Sequence, residues 1–378
     1  MRIDFPFYDG SPVYFIFMMF LLSSAVLLLY TVIFWMRFAF YRGNKNKPNE
    51  SPSVSVIIAA RNEEDNLYNN IELILNQDYP EFEVIVVNHQ SVDNSKHILI
   101  ALQKIYKHLR VIEIEKNRHL KVGKKLPITL GVKAAKYDHL LFTDADCKPV
   151  CNQWIRFMVE NFSDKKAIVL GYGPYKKQRG FLNTMIRFDT VQIAVNYFAF
   201  ALNGLAYMGV GRNMAYKKQR FMEVGGFKSH YGIPSGDDDL FIRDAANRKN
   251  VAIEIRPESY CFSEPKSTWT DWFKQKRRHY GTSNKYKVFT RALLGIFPMM
   301  LVLQLLCFVS LLFFYDFRFW SLLIFGSLLI LRWIWQAINF AKLNAGRLAV
   351  FYPILEYVHI GITAAMFYSK GYQRNQWK

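Results

Sequence analysis

Residues 139–146 read HLLFTDAD, a short apolar run that stops at two carboxylates. An apolar stretch of this length, closed by polar residues, predicts a strand buried on both faces, as in parallel sheets. Upstream, the same signature recurs at Ser53–Ala59 (SVSVIIA), Glu83–Val87 (EVIVV) and Val111–Ile114. Between the first two, Asp65–Asn76 places Leu67, Ile71, Ile74 and Leu75 on one helical face, and Lys125–Lys136 reads as a further helix. Strands alternating with helices predict an α/β domain whose mostly parallel sheet has right-handed crossovers. Such sheets bind ligands beyond the C-terminal ends of their strands. The loops at those ends are Ala60–Glu64, Asn88–Asp93 and Asp144–Asp146, all rich in polar groups.

Outside this centre the chain changes character. It has 378 residues, 51% of them hydrophobic and 21% charged, with the apolar residues massed at both ends. That excludes a disordered chain, a collagen-like chain and a simple cytosolic enzyme. Gly10–Met36 carries no charge and would make a helix of about 40 Å, longer than a hydrocarbon core of about 30 Å. Arg37, Arg42, Lys45 and Lys47 follow it, so the residues after 37 are expected in the cytoplasm. A second apolar block starts near Ala292, behind a run of basic residues from Lys274 to Arg291 without one acid. Trp320–Ala341, interrupted by Arg332, and Leu348–Met366, carrying Glu356 and His359, are further candidates. Intramembrane charges ordinarily face a protein interior, and the last segment reads as spanning, re-entrant or interfacial. The expected organisation is a tail (1–9), a spanning helix (10–36), a basic linker (37–52), an α/β domain (53–283), a basic membrane-edge segment (284–291), two to three spanning or re-entrant helices (292–369) and a tail (370–378).

The formal net charge is +19. It suggests an acidic partner: nucleic acid, anionic lipid or a phosphate-bearing substrate. Much of this charge flanks apolar spans, where membrane orientation accounts for it, so a nucleic-acid partner is not expected. Four cysteines, with Cys307 inside an apolar block, make no disulfide framework and suit a reducing cytoplasm. Neither the cysteines nor His89, His119 and His279 stand at zinc-ligand spacing, and no P-loop, GxGxxG or GxSxG occurs.

Three clusters carry chemistry. Asp144 and Asp146, two apart beyond a strand, can share a hard divalent cation with substrate phosphates; the bland alternative makes Asp144 the cap of a following helix. Asp237, Asp238 and Asp239 are adjacent acids whose mutual repulsion should raise at least one pKa and so make a general base; the alternative is an acidic helix start. Gln275-Lys276-Arg277-Arg278-His279 supplies guanidinium forks suited to phosphate, or simply a headgroup-facing charge.

In order and spacing these motifs resemble the family 2 inverting glycosyltransferases anchored in membranes. The resemblance spans about 230 residues and rests on Ala59–Glu64, Asn88–Asp93, Gly123-Lys124-Lys125, Asp144–Asp146, Gly209–Asn213, Gly225–Phe227, Gly236–Leu240 and Gln275–His279. It implies a GT-A fold and transfer of a sugar from a nucleotide-diphosphate donor, a UDP-sugar, to a lipid-linked or membrane-proximal glycan at the cytoplasmic face of the cell membrane, assisted by Mn²⁺ or Mg²⁺. It further implies that Arg61, Glu63, Asn88, Asp93, Lys124 and Asp144 bind the donor and that Asp144 and Asp146 hold the metal. Asp238 matches the base of the acidic pair, with Asp237 left open by a one-residue ambiguity. Gln275 and Arg278 match the QxxRW element over the diphosphate. Two departures stand out. The family's DDxS acids are Asn88-His89 here, which leaves donor identity open and permits a non-catalytic scaffold as the rival reading. The QxxRW tryptophan is His279, which argues against processive synthesis.

Overall fold

A computed structural model describes residues 11–43, 51–117 and 123–368. The expected tails 1–9 and 370–378, His119, and Lys45 and Lys47 of the basic linker lie outside the described residues. The chain forms two compact units, one of residues 1–41 with 287–362, the other of residues 42–286 with 363–378.

The first unit opens with α1 (Pro12–Phe40), a helix long and apolar enough to cross a membrane. Ser11 caps it, its hydroxyl accepting from the Tyr14 N–H at 3.3 Å. The helix widens to a π turn over Thr31–Met36.

The second unit is built on β1 (Val54–Ala60), α2 (Glu64–Leu75), β2 (Phe82–His89), α3 (Ser95–Ile105), β3 (Leu109–Ile114), α4 (Lys125–Ala134) and β4 (His139–Asp144). These are the strands and helices expected from the sequence, with ends moved by one or two residues. β1 is buried along its whole length, because helices cover both faces of the sheet. On one face Val54, Val56 and Ile58 pack against Leu67, Ile71 and Ile74. On the other, α4 comes so close that a Cβ on Gly131 would lie 2.7 Å from Ile57 Cγ2.

After Asp144 no helix begins. The chain turns into β5 (Cys147–Pro149), so the helix-cap alternative for Asp144 is not realised. Then come α5 (Trp154–Val159), β6 (Ile168–Leu170), α6 (Phe181–Leu202), β7 (Met214–Lys217), α7 (Lys218–Glu223), α8 (Asp239–Ala245), β8 (Val251–Ile253), β9 (Cys261–Ser263) and α9 (Trp269–Tyr280). The main sheet runs β3-β2-β1-β4-β7-β6-β8, and β5 pairs with β9 in a second, two-stranded sheet. β7 is antiparallel to both β4 and β6, while β6 and β8 are parallel. The result is a mostly parallel mixed sheet, the GT-A form of the α/β class.

The chain then returns to the first unit with α10 (Val288–Leu311) and α11 (Tyr315–Lys342), both apolar and long enough to span a bilayer. They are followed by α12 (Gly346–Ala349) and α13 (Tyr352–Tyr368). Phe17 and Phe20 of α1 pack with Cys307, Leu311 and Phe317. Polar side chains are paired across the bundle: Gln304 Nε2 donates to Ser24 Oγ at 2.9 Å, and Arg332 stands 3.6 Å from the Glu356 carboxylate. Lys342 Nζ donates to the Phe38 and Ala39 carbonyls at 3.0 and 2.7 Å, and also to that of Tyr41, satisfying the open end of α1. At 17 residues α13 would be about 25 Å long, short of a hydrocarbon core.

Candidate active site

The ends of β1, β2 and β4 bring the predicted loops together. After β1, Asn62 adopts a left-handed conformation (φ 52°) that Asn tolerates better than most residues. Its N–H donates to Ser91 Oγ at 2.9 Å and its Oδ1 accepts from the Val92 N–H at 2.9 Å, tying the first loop to the second. Arg61 and Glu63, expected at the nucleotide, are half-buried in this loop.

Two expected donor ligands are otherwise engaged. Asp93 accepts the Glu64 N–H at 3.0 Å and the Ser95 N–H at 3.1 Å, so it closes the first turns of α2 and α3. Desolvation opposes its ionisation, but these bonds hold its carboxyl below the usual range. Asn88 is fully buried; its Nδ2 donates to Glu113 at 3.0 and 3.1 Å, and its Oδ1 accepts from Ser91 Oγ. His89 is also buried, and desolvation together with the Arg61 charge keeps its ring neutral.

At the end of β4, Asp144, Asp146 and Cys147 offer ligand atoms within 4.8 Å of one another. Asn70 Nδ2 steadies the turn through the Ala145 carbonyl at 3.0 Å. The thiol is a poor ligand as it stands: desolvation, with Cys261 and Asp146 nearby, raises Cys147 well above the usual thiol range. What remains is a pair of carboxylates, a hard oxygen donor set that suits Mg²⁺ or Mn²⁺ completed by phosphate and water. Lys124 Nζ lies 2.7 Å from Asp144 Oδ1. Desolvation works to raise the Asp144 carboxyl, but Lys124, Arg212 and Arg278 hold it down.

The acidic triplet faces the same place, since Lys124 feels Asp144, Asp237 and Asp146 together. Gly236 leads into it with φ 94°, and a Cβ there would lie 2.6 Å from Leu240 Cδ1. The three acids are employed differently. Asp238 caps α8: Oδ1 accepts the Asp239 N–H at 2.8 Å and Oδ2 the Gly211 N–H at 3.0 Å. Asp239 accepts Tyr286 Oη at 2.7 Å, the Thr282 hydroxyl and the Leu240 N–H, so it is structural. Asp237 makes no such side-chain bonds among the described residues. Desolvation, then the charges of Asp238 and Asp144, push it up to about 7 despite Lys124.

α9 brings Gln275 and Arg278 to the site. Thr268 caps the helix, accepting the Asp271 N–H at 3.1 Å. Its middle is fastened by Lys276 Nζ, which donates to both Asp189 oxygens of α6 at 3.0 and 2.7 Å in a buried pair. Gln275 Nε2 donates to Tyr175 Oη at 3.1 Å. The sequence assigns no role to Tyr175 or Asp189, and Lys276, read there as part of a phosphate- or headgroup-facing run, is turned inward to Asp189. Arg212 figures in the sequence only as part of a motif. Contacts between residues 87 and 100 positions apart leave no local pattern to find.

Two family patterns match the chain: Glycosyl transferase family 2 over residues 55–225, and Glycosyl transferase family group 2 over residues 143–367. A poly-beta-1,6-N-acetyl-D-glucosamine synthase of Staphylococcus epidermidis is 22% identical over 241 residues, covering 62% of this chain and 55% of the synthase. The probable glycosyltransferase YdaM of Bacillus subtilis is 25% identical over 251 residues, covering 63% and 57%. The chain thus spans just over half the length of the curated relatives it matches. Among solved structures, the mannosyltransferase PcManGT of Pyrobaculum calidifontis, in complex with GDP-Man and Mn²⁺, superposes with a TM-score of 0.55 at 16% identity, covering 90% of this chain and 99% of that one. This likeness is one of fold.

Proposed function

The chain belongs to the family 2 glycosyltransferases, and on that premise we propose that it transfers a sugar, with inversion, from a nucleoside-diphosphate donor to a hydroxyl of a lipid-linked or membrane-proximal glycan. The observation that carries this reading is the meeting of Asp144, Asp146 and Asp237 around Lys124 at the C-terminal ends of parallel strands. The donor would lie over the strand ends, its nucleoside toward Arg61 and Glu63. Asp144 and Asp146 would hold Mn²⁺ or Mg²⁺, which when bound supplies positive charge against the diphosphate.

Asp237 takes the role of general base in preference to Asp238, because both oxygens of Asp238 are spent on backbone N–H groups. Asp237 removes the proton of the acceptor hydroxyl as its oxygen bonds to the anomeric carbon. The bond from that carbon to the β-phosphate oxygen breaks, and its electron pair leaves with the nucleoside diphosphate. Arg278 stabilises that charge, and Gln275 holds the adjoining wall through Tyr175. His279 is exposed and lacks the broad face of an indole, which favours addition of single sugars over extrusion of a polymer. The apolar helices α1, α10 and α11 would anchor the protein in the cell membrane, with the catalytic unit in the cytoplasm.

The test is a donor screen on the purified full chain in detergent or nanodiscs, with Mn²⁺ and UDP-, GDP- and TDP-sugars. One nucleotide class should be turned over to its free diphosphate, and chelation or Asp146→Ala should abolish that turnover. A folded protein that binds and consumes none of the three overturns the reading and restores the scaffold.

A further inference from the structure

Arg212 lies in the Gly209–Asn213 turn, a segment to which the mechanism above gives no role. Its neighbour Asn213 is plainly structural: buried, it donates to the Tyr172 and Ser259 carbonyls at 2.8 Å each and accepts from Trp154 Nε1 at 3.0 Å. Arg212 is held differently. Nε donates to the Gly173 carbonyl at 2.7 Å, and the guanidinium lies 4.8 Å over the Tyr175 ring. That ring is fixed in turn by Gln275 of α9. Gly173 makes the room, since a Cβ there would lie 2.4 Å from Arg212 Nε. These contacts fix the plane of the fork but use only its inner nitrogen. The two terminal amino groups make no hydrogen bond among the described residues, and neither is buried without a partner.

A planar cation oriented on one edge and open on the other is built for a bidentate oxyanion. Its charge reaches Asp144 together with those of Lys124 and Arg278. Of these three cations acting on Asp144, Lys124 is committed to it at 2.7 Å, which leaves Arg212 and Arg278 to meet an anionic ligand there. The geometry points to Arg212 as a second guanidinium on the donor's diphosphate, gripping it together with Arg278 and stabilising the charge that builds on the leaving group. This rests on the nucleotide-sugar reading above. It makes Arg212 a determinant of diphosphate over monophosphate recognition.

The experiment measures binding of UDP, UMP, GDP and GMP to the full chain with Mn²⁺, by calorimetry. Arg212→Met keeps the stacking stem and removes the charge. It should weaken the preferred diphosphate about ten- to hundredfold, the usual worth of a charge-assisted pair, and leave the matching monophosphate within about twofold. Arg212→Lys keeps the charge without the fork and should recover only part of the loss. Gly173→Ala removes no charged side chain but displaces the guanidinium, so it should reproduce the Arg212→Met pattern, and it carries the test if Arg212→Met does not fold. Equal weakening of diphosphate and monophosphate, or no weakening of either, overturns the assignment. Wild type that binds no nucleotide overturns instead the donor reading on which it stands.

Discussion

Asp237 and Asp238 are neighbours in sequence with opposite employment. Asp238→Asn keeps an oxygen to accept one of the two N–H groups, so activity should stay within about tenfold and the main cost should be up to about 1 kcal/mol of α8 capping, read by thermal unfolding. Asp237→Asn removes the base and should lower kcat by roughly 10²–10⁴ while donor affinity holds. Because Asp237 is pushed up to about 7, it is mostly protonated, and idle, below that pH. kcat/KM should therefore climb as pH rises through about 7, and that limb should vanish in Asp237→Asn. If Asp238→Asn removes it instead, the base assignment reverses. Three consecutive acids announced a site in the sequence, but not which of them was open. That was decided by a backbone N–H from Gly211, far away in the chain.

The same contrast holds for whole elements. β1, β2 and β4 were legible because each is a nearly continuous buried run between polar loops, and β3, half-buried at the sheet's edge, through its β-branched residues. β6, β8 and β9 are three residues long, too short to show a period, and the antiparallel β7 gave no sign of its direction. Asp93, expected at the nucleotide, joins two helix starts, and we propose that this is its main work. Asp93→Ala should thus cost about 1–2 kcal/mol in denaturant unfolding while the choice of nucleotide stays unchanged. The stretch leading into the acidic triplet is pinned by Lys125 Nζ, which donates to the His230 and Ile233 carbonyls at 2.5 and 2.9 Å. His230 is buried beside it. Desolvation and the Lys125 charge lower its pKa to about 4, against 6.5 for a free imidazole, although Asp244 pulls the other way. A depressed histidine leaves the fold at full stability above about 6.5 and drains it as pH falls toward 4. His230→Gln should flatten the fall of Tm across that window. An unchanged slope would mean that another group is responsible.

At the scale of the molecule, the apolar helices were readable from composition, and the exact number of crossings was not. Residues 348–366, a candidate span in the sequence, break at Val350 and Phe351 into two helices, the second with 17 described residues. Lys342 bonded to the carbonyls that end α1 sets the last turns of α1 and α11 side by side. With α10 and α11 joined by a short turn, Tyr41 and Val288 stand at the same end of this helical unit, so the chain is expected to leave and re-enter a membrane on one face. Phe313→Cys, in that turn and 79% exposed, should react with an impermeant maleimide in intact cells. Ser51→Cys should react only after permeabilisation; the reverse pattern would invert the topology. Finally, the buried Lys276–Asp189 pair ties α9 to α6. Removing one partner leaves the other charge buried alone, which costs roughly 3–5 kcal/mol. The helix that carries Gln275 and Arg278 is a bolted beam, and cutting either half of the bolt should loosen it.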